Sequence, residues 1–407
     1  MQKVKVALIG LGCRGKSLAS MMNEMEEAEI VAVSDVYEDR MEEAAALVKK
    51  ACGRAPRQYA DYREALKEKD VDAVVIATSW ESHVTIAADS MRAGKVTALE
   101  VGGAYTVEDC ESLVRVYEET KTPFMFLENC CYGKFELLST ALVRRGMMGE
   151  IVHCHGAYAH DLRAEVLGGR VNRHYRLNNY LTRNCENYPT HELGPIARLL
   201  NINRGNRMVS LVSVASKAAG LQTFASDPRN PDPTLSGKRF AQGDIVNTLI
   251  TCEDGTTISL KLDTTLPRFY SREFTVRGTK GCCLQELNAV LLDDDGLEEF
   301  FDPNRSVRKY LDSAEKFSEY LPEIWKEAEK GRLTGGHGGM DMLMLREFFR
   351  AVLEEKPMPI DVYDAAAWMV ITPLSERSIR TGAGVPIPDF THGAWKTRKG
   401  EDVVPLG

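Results

Sequence analysis

In the first third of the chain the apolar stretches run unbroken. Val4 to Ile9, Glu29 to Ser34, Asp72 to Thr78, Val96 to Val101 and Pro123 to Leu127 each read as a strand buried on both faces. Helical patterns separate them: Lys16 to Met25, a segment from Glu38 onward, one opened by Ser79-Trp80-Glu81-Ser82-His83 and ended at Gly94, and Val107 to Thr120. This alternation predicts an α/β domain with a parallel, doubly wound sheet and a ligand at the carboxyl ends of its strands. Phe135 to Arg145 reads as a connecting amphipathic helix. From Glu150 the pattern changes to strict alternation over Ile151 to His160, Val209 to Ser216, Ile245 to Cys252, Thr256 to Asp263, Arg272 to Arg277 and Cys282 to Leu287. That predicts an α+β domain around a large, open, mostly antiparallel sheet. Met340 to Glu355 and Val362 to Thr381 read as helices, the second returning to the first domain. The expected division is 1–128 and 129–407.

A chain of 407 residues, 44% hydrophobic and 27% charged, suits two domains with ordinary cores. With a net charge of -8 and no Lys/Arg-rich block, nucleic acid and anionic membrane are poor partners and a small molecule is a better one. The amino terminus runs straight into a strand-like segment without the features of a signal peptide, and no apolar run reaches the length of a membrane span. Ten cysteines are scattered without a CxxC spacing, as expected for reduced thiols in a cytoplasmic protein.

The first strand is closed by Gly10-Leu11-Gly12-Cys13-Arg14-Gly15. Gly10, Gly12 and Gly15 allow a tight turn, close approach of a pyrophosphate to backbone N–H groups and close packing of helix on strand. The next strand ends in Asp35, twenty residues beyond Gly15, where a carboxylate accepts from adenosine ribose hydroxyls. Together these read as a Rossmann sheet holding NAD, since an acid at that position repels a 2′-phosphate and Val36 and Tyr37 supply no cation for one. Trp80, His83 and Glu100 fall at strand ends of the same sheet.

In the second half, Glu186 to Pro195 concentrates proton-carrying groups, including Tyr188, His191 and Glu192, before a helical pattern through Leu200. On the strand Ile151 to His160, His153 and His155 share one face while Tyr158 and His160 share the other. The histidine pair has metal-ligand spacing, but no third ligand is placed by sequence, so no metal is expected there.

Gly10 to Gly15, Trp80-Glu81-Ser82-His83, Ala93-Gly94-Lys95 and Leu99-Glu100-Val101 resemble the family of glucose-fructose oxidoreductases and inositol dehydrogenases. Most members carry Glu-Lys-Pro where this chain has Glu100-Val101-Gly102. A closer resemblance, spanning nearly the whole chain, is to the family-109 glycoside hydrolases, NAD-dependent retaining enzymes whose characterised activity is α-N-acetylgalactosaminidase. It rests on Glu128-Asn129, Gly156-Ala157-Tyr158, His160 to Arg163, Tyr188-Pro189-Thr190-His191, Asn201 to Arg207, Tyr270-Ser271-Arg272 and Gly336 to Asp341. The resemblance implies NAD contacts at Cys13, Arg14, Asp35, Trp80, His83, Glu100, Val101 and Asn129, and substrate contacts at Tyr158, Arg176, Tyr188, His191 and Tyr270. Two departures stand out: Glu192 replaces a glycine, and Gly102-Gly103 replaces a Pro-containing turn.

The family chemistry is transient oxidation at C3 of the sugar, loss of the C2 proton, expulsion of the C1 substituent, addition of water and re-reduction, which dispenses with the usual carboxylate pair. In that scheme His191 serves the C3 hydroxyl and Tyr158 serves C2, the latter requiring a phenol lowered by Arg163 or Arg176. Tyr188 and Tyr270 donate to developing oxygen charge or hold the sugar. The alternative is an NAD-dependent sugar or cyclitol dehydrogenase with net redox; a third is a sensor or sugar-binding protein without catalysis. An open sheet of this size is expected to bury its outer face in a homo-oligomer, a dimer or tetramer.

Overall fold

The computed structural model describes residues 3–293, 303–328, 330 and 336–406. They form two compact units, one of Met1–Asn129 with Ala328–Val370 and one of Cys130–Glu327 with Ile371–Gly407.

The first unit holds a six-stranded sheet of β1 (Val4–Ile9), β2 (Ala28–Ser34), β3 (Arg57–Tyr59), β4 (Ala73–Ile76), β5 (Val96–Leu99) and β6 (Phe124–Phe126). The order is β3-β2-β1-β4-β5-β6 and every pair is parallel. Crossovers are made by α1 (Cys13–Asn23), α2 (Glu38–Cys52), α3 (Tyr62–Leu66), α4 (Trp80–Arg92) and α5 (Val107–Thr120). All four residues of β4 and five of six in β1 are buried, which is why these strands read as unbroken apolar runs. The strand order reverses between β1 and β4, the place where such sheets open a crevice for ligand. The strand β3 and the short helix α3 escaped the sequence reading, the strand because Arg57-Gln58-Tyr59 is a polar edge strand.

One expected helix is two. Val362–Met369 belongs to the first unit and Ile371–Thr381 to the second. Pro373 lacks the N–H that a continuous helix would direct to the Met369 carbonyl. That carbonyl accepts instead from the Ala104 N–H at 3.1 Å, within the first unit.

The second unit is built on an eight-stranded sheet of β7 (Ile151–Ala159), β8 (Met208–Ala215), β9 (Ile245–Cys252), β10 (Thr257–Asp263), β11 (Thr275–Gly278), β12 (Gly281–Leu284), β13 (Ala289–Leu292) and β14 (Val385–Pro386). The order is β13-β12-β11-β7-β10-β9-β8-β14; β7 and β10 are parallel and the other neighbours antiparallel. In β9, Val246, Thr248, Ile250 and Cys252 are buried while Asn247, Leu249 and Thr251 are exposed, so one face is covered and the other is open. The open face also presents Val212 and Val214. Helices α6 (Lys134–Arg144), α7 (Arg163–Leu167), α8 (Arg176–Thr182) and α9 (Thr190–Leu199) belong to this unit, and α9 packs on β7. The helix Ile371–Thr381 packs on β8, where Ser213 N–H donates to Ser378 Oγ at 2.9 Å.

Candidate active site

In the first unit the turn after β1 is shaped by its glycines. Gly10 has φ +91°, and a Cβ there would lie 2.5 Å from the Ala77 backbone; one on Gly15 would lie 1.9 Å from the Gly10 carbonyl. A Cβ on Gly12 would meet only Arg40 Nη1, at 3.6 Å. Gly12 begins α1 without a side-chain cap, so the first N–H groups of that helix are open to an anion. Asp35, at the end of β2, accepts from Leu11 N–H at 2.7 Å and Tyr37 N–H at 3.0 Å, stitching the turn to the strand that follows it. Arg40 comes within 4.0 Å of Asp35 and stacks over the Tyr37 ring. This cation was missed because it lies in α2, beyond the two residues after Asp35.

Around this turn a polar network closes on Asp341. Arg14 donates Nη1 and Nη2 to the Asp341 carboxylate at 2.7 and 2.9 Å and Nε to Glu100 at 2.9 Å. Asn129 Nδ2 donates to Asp341 at 2.7 Å and His337 Nδ1 lies 2.7 Å from its other oxygen. Burial alone would push the Asp341 carboxyl up, but His337 and Arg14 outweigh it and hold it well below the usual carboxylate range. Its hydrogen bond to His337 raises that imidazole in turn. Glu100 goes the other way, raised by burial against the pull of Arg14.

Trp80, at the start of α4, donates Nε1–H to the Val101 carbonyl at 3.1 Å, and its indole occupies the space that a Cβ on Gly102 would need. The missing proline turn is thereby explained: the tryptophan requires a residue without a side chain at 102. His83 is buried and donates Nε2–H to the Thr78 carbonyl at 3.1 Å, and burial lowers its pKa to about 4. Cys13 is exposed at the first position of α1. The uncapped helix start, the turn with room only over Gly12, and the carboxylate at Asp35 fit a dinucleotide.

In the second unit β7 and the start of α9 bring three expected residues together. Tyr158 lies 4.6 Å from Tyr188 and 5.5 Å from His191 by ring centroids, and Tyr188 lies 4.7 Å from His191. His160 joins this group edge-on, 6.2 Å from Tyr158, and meets Tyr270 at 5.3 Å. Arg176, the first residue of α8, sits 5.0 Å over the Tyr188 ring and pairs with Glu165 at 3.1 Å. Tyr270 accepts from Arg272 Nη1 at 3.2 Å. Pro195 is the sixth residue of α9 and has no N–H for the His191 carbonyl, which loosens the helix just beyond the imidazole.

The phenol of Tyr158 does not behave as expected. Burial raises it, and the hydrogen-bonded Arg176 guanidinium opposes that rise without reversing it. Arg163 is engaged elsewhere, with Asp161 at 2.8 Å and over Phe224. His153 and His155 have their ring nitrogens on Thr257, Ser259 and Glu273, at 2.8 to 3.2 Å.

Residues 132–397 match the model for the C-terminal domain of glycosyl hydrolase 109, and residues 4–127 match that of the oxidoreductase family with an NAD-binding Rossmann fold. The chain belongs to glycosyl hydrolase family 109. This family-109 protein is 37% identical to a glycosyl hydrolase family 109 protein of Stenotrophomonas maltophilia, over 98% of this chain and 91% of that one. It is 34% identical to an alpha-N-acetylgalactosaminidase of Tannerella forsythia, over 97% and 88%. Among solved structures, a levoglucosan dehydrogenase in complex with NADH and levoglucosan shares the fold at 20% identity, with a TM-score of 0.69 over 95% of this chain and all of that one. The family-109 chain is therefore an NAD-dependent glycoside hydrolase, and its Rossmann unit is the NAD-binding part.

Sequence reasoning missed the partners of two residues that organise these sites. Asp341 ends a matching stretch, and its partners Arg14 and Asn129 lie 327 and 212 residues away. Glu192 reads from sequence as a proton-carrying group and a departure from glycine. Its Oε2 accepts from the N–H groups of Tyr158 and Lys261 at 3.0 and 3.1 Å.

Proposed function

We propose that this family-109 enzyme hydrolyses an N-acetylhexosaminide, with an α-N-acetylgalactosaminide the first candidate, and leaves no net redox change. The observation that carries this reading is the cluster of Tyr158, Tyr188 and His191 beside Arg176, a set of phenols and an imidazole where an ordinary glycosidase places two carboxylates. NAD, when bound, supplies a hydride acceptor for C3 and returns the hydride at the end.

His191 takes the proton of the C3 hydroxyl and returns it in the reverse step, the general acid–base role that imidazole fills most often. The ketone at C3 acidifies the proton on C2, which passes to Tyr158. Arg176 supports the phenolate form of that residue against the cost of burial. As the C2 proton leaves, the C1–O bond breaks, its electron pair goes to the aglycone oxygen, and Tyr188 or Tyr270 provides the proton. Water then adds at C1, and the C2 and C3 protons return by the same groups.

The division of labour follows the two units: the first, Met1–Asn129 with Ala328–Val370, holds the cofactor, with Gly10, Gly12, Cys13, Arg14, Gly15, Asp35, Trp80, His83, Glu100, Val101 and Asn129 as its contacts. The second unit holds the sugar through Tyr158, Arg176, Tyr188, His191 and Tyr270. Two further readings complete the proposal. The open sheet face with Val212, Val214 and Leu249 exposed supports a homo-oligomer. The ten unpaired cysteines, eight of them buried, support a cytoplasmic location, and no helix among the described residues is long and apolar enough to cross a membrane.

A panel of p-nitrophenyl hexosides and N-acetylhexosaminides, assayed together for nitrophenol and NADH, tests the function. Nitrophenol without matching NADH, with solvent deuterium at C2 of the sugar, is the expected result. Stoichiometric NADH without cleavage would replace it with a sugar or cyclitol dehydrogenase.

A further inference from the structure

Beside the aromatic cluster of the second unit lie two carboxyls that the reaction above does not use. Glu186 and Glu192 are 0% and 1% exposed. Glu192 projects from the first turn of α9 and places one oxygen on the N–H groups of Tyr158 and Lys261, one from each of the adjacent parallel strands β7 and β10. Glu186 precedes α9, and its backbone is fixed by the helix Ile371–Thr381. Its N–H donates to Ser375 Oγ at 2.8 Å, and its carbonyl accepts from Thr372 Oγ1 at 2.7 Å.

Three of the four carboxyl oxygens, both on Glu186 and Oε1 of Glu192, have no hydrogen bond of good geometry; Glu186 faces the N–H groups of Tyr188 and Leu262 more loosely, and the two side chains interact directly. Among the described residues neither has a cationic partner. Two charged carboxylates cannot persist in such a site, whereas one shared proton turns the repulsion into a hydrogen bond. Burial pushes both groups up, and the Glu186 carboxyl pushes Glu192 further. The fit is close: a Cβ on Gly156 of β7 would lie 2.8 Å from the Glu192 carbonyl.

Glu192 thus ties the turn that carries His191 to the strand that carries Tyr158. We propose that Glu192 is a positioning residue for the hydrolysis, and that Glu186 and Glu192 share a proton whose loss frees the His191 turn from the Tyr158 strand. The proposal rests on the function given above for its kinetic part only. Other titratable groups around the pair are accounted for. Cys185 beside Glu186 is a buried thiol pushed up by that burial, and Tyr158 and Tyr188 are phenols. His191 faces the aromatic cluster, the Lys261 ammonium is committed to Glu273, and Glu376 on the helix Ile371–Thr381 is committed to Arg183. Each carboxyl of the pair has its folded pKa above its unfolded one, so the folded form holds the extra proton. The pair's contribution to stability is complete below the unfolded carboxylate range and is lost as pH rises from there through the raised values.

The test compares Glu192→Gln, Glu192→Gly and Glu186→Gln in the full chain. Without cofactor or substrate, urea stability is followed against pH together with hydrogen exchange of the Tyr158 and Lys261 amides. In parallel, kcat and KM are measured against pH on p-nitrophenyl N-acetylgalactosaminide with NAD. Glu192→Gly is expected to speed exchange at both amides and lower kcat by ~10²-fold with KM changed only a few-fold. Glu192→Gln, which keeps an acceptor for the two N–H groups and offers an amide to Glu186, should restore most of that loss and flatten the alkaline decline. An unchanged alkaline decline in both Gln variants would remove the shared proton; wild-type kcat in Glu192→Gly would remove the positioning role. Should the wild type cleave no glycoside, the function fails while exchange and pH-dependent stability still decide the carboxyl pair.

Discussion

Asp341 in the first unit and Glu192 in the second are both buried carboxyls at the centre of a site, 0% and 1% exposed, yet one is held as a charge and the other as an acid. Asp341 receives Arg14 through two nitrogens, Asn129 and His337, so its charge is matched by hydrogen bonds and cations. Glu192 receives two backbone N–H groups and then faces a second carboxyl. Burial acts on both in the same direction, and the partners decide the outcome. An anionic ligand can be served by a site whose charges are already paired and oriented. Reversible proton transfer at Tyr158 is served by a phenol that burial holds in its neutral form while Arg176 favours the phenolate.

The comparison breaks most severely on the substrate side. Tyr158→Phe and His191→Ala should each lower kcat by ~10²–10⁴-fold, with NAD affinity by calorimetry unchanged, since those groups act on the sugar alone. Retained turnover in either variant would remove that residue from the reaction.

On the cofactor side acid is the weakness, opposite in sign to the carboxyl pair. The folded pKa of His83, about 4, lies below its ordinary 6.5, so the unfolded chain binds the extra proton between those values. Stability contributed by the neutral, buried ring is complete above pH 6.5 and is lost on descending to pH 4, by roughly 3 kcal/mol. Urea titrations of the wild type and of His83→Asn at both pH values should show the acid-induced loss shrinking by about that amount in the variant.

Next in size is Asp341→Asn, which keeps the shape and removes the charge that Arg14 and His337 share. A loss of roughly 2 kcal/mol in stability is expected, with NAD binding weakened about tenfold per 1.4 kcal/mol carried into the complex. Unaltered NAD affinity by calorimetry would show that Arg14 does not need Asp341 to be oriented. The smallest effect belongs to the sheet face, where Lys261→Met removes a pair with Glu273 and should change stability by less than ~1 kcal/mol, because water screens partly exposed ion pairs. A larger loss would show that this network bears weight comparable with the buried sites.

Much of the fold was legible because local physics writes it locally. The doubly wound sheet follows from unbroken apolar strands and intervening helices, the second sheet from period-two burial, and the turn after β1 from glycines whose missing side chains the packing requires. The cluster of Tyr158, Tyr188 and His191 came from matching stretches, but its closeness came only from α9 packing on β7. Short or polar elements such as β3 and β14 carry too few residues for a period to show.

By itself, then, the sequence determined the strands, the helices, the cofactor turn and the types of group available for proton transfer, since each depends on neighbours a few residues away. Tertiary structure alone decided their electrostatic state. Arg14 meets Asp341 across 327 residues and becomes half of a paired charge. Glu186 and Glu192 lie six residues apart, yet they share a buried site because α9, β7, β10 and the helix Ile371–Thr381 enclose them, and among the described residues no cation pairs with either carboxyl. Spacing in a sequence carries the reach of a side chain, whereas solvent exclusion and the sign of the nearest charge belong to the folded surroundings.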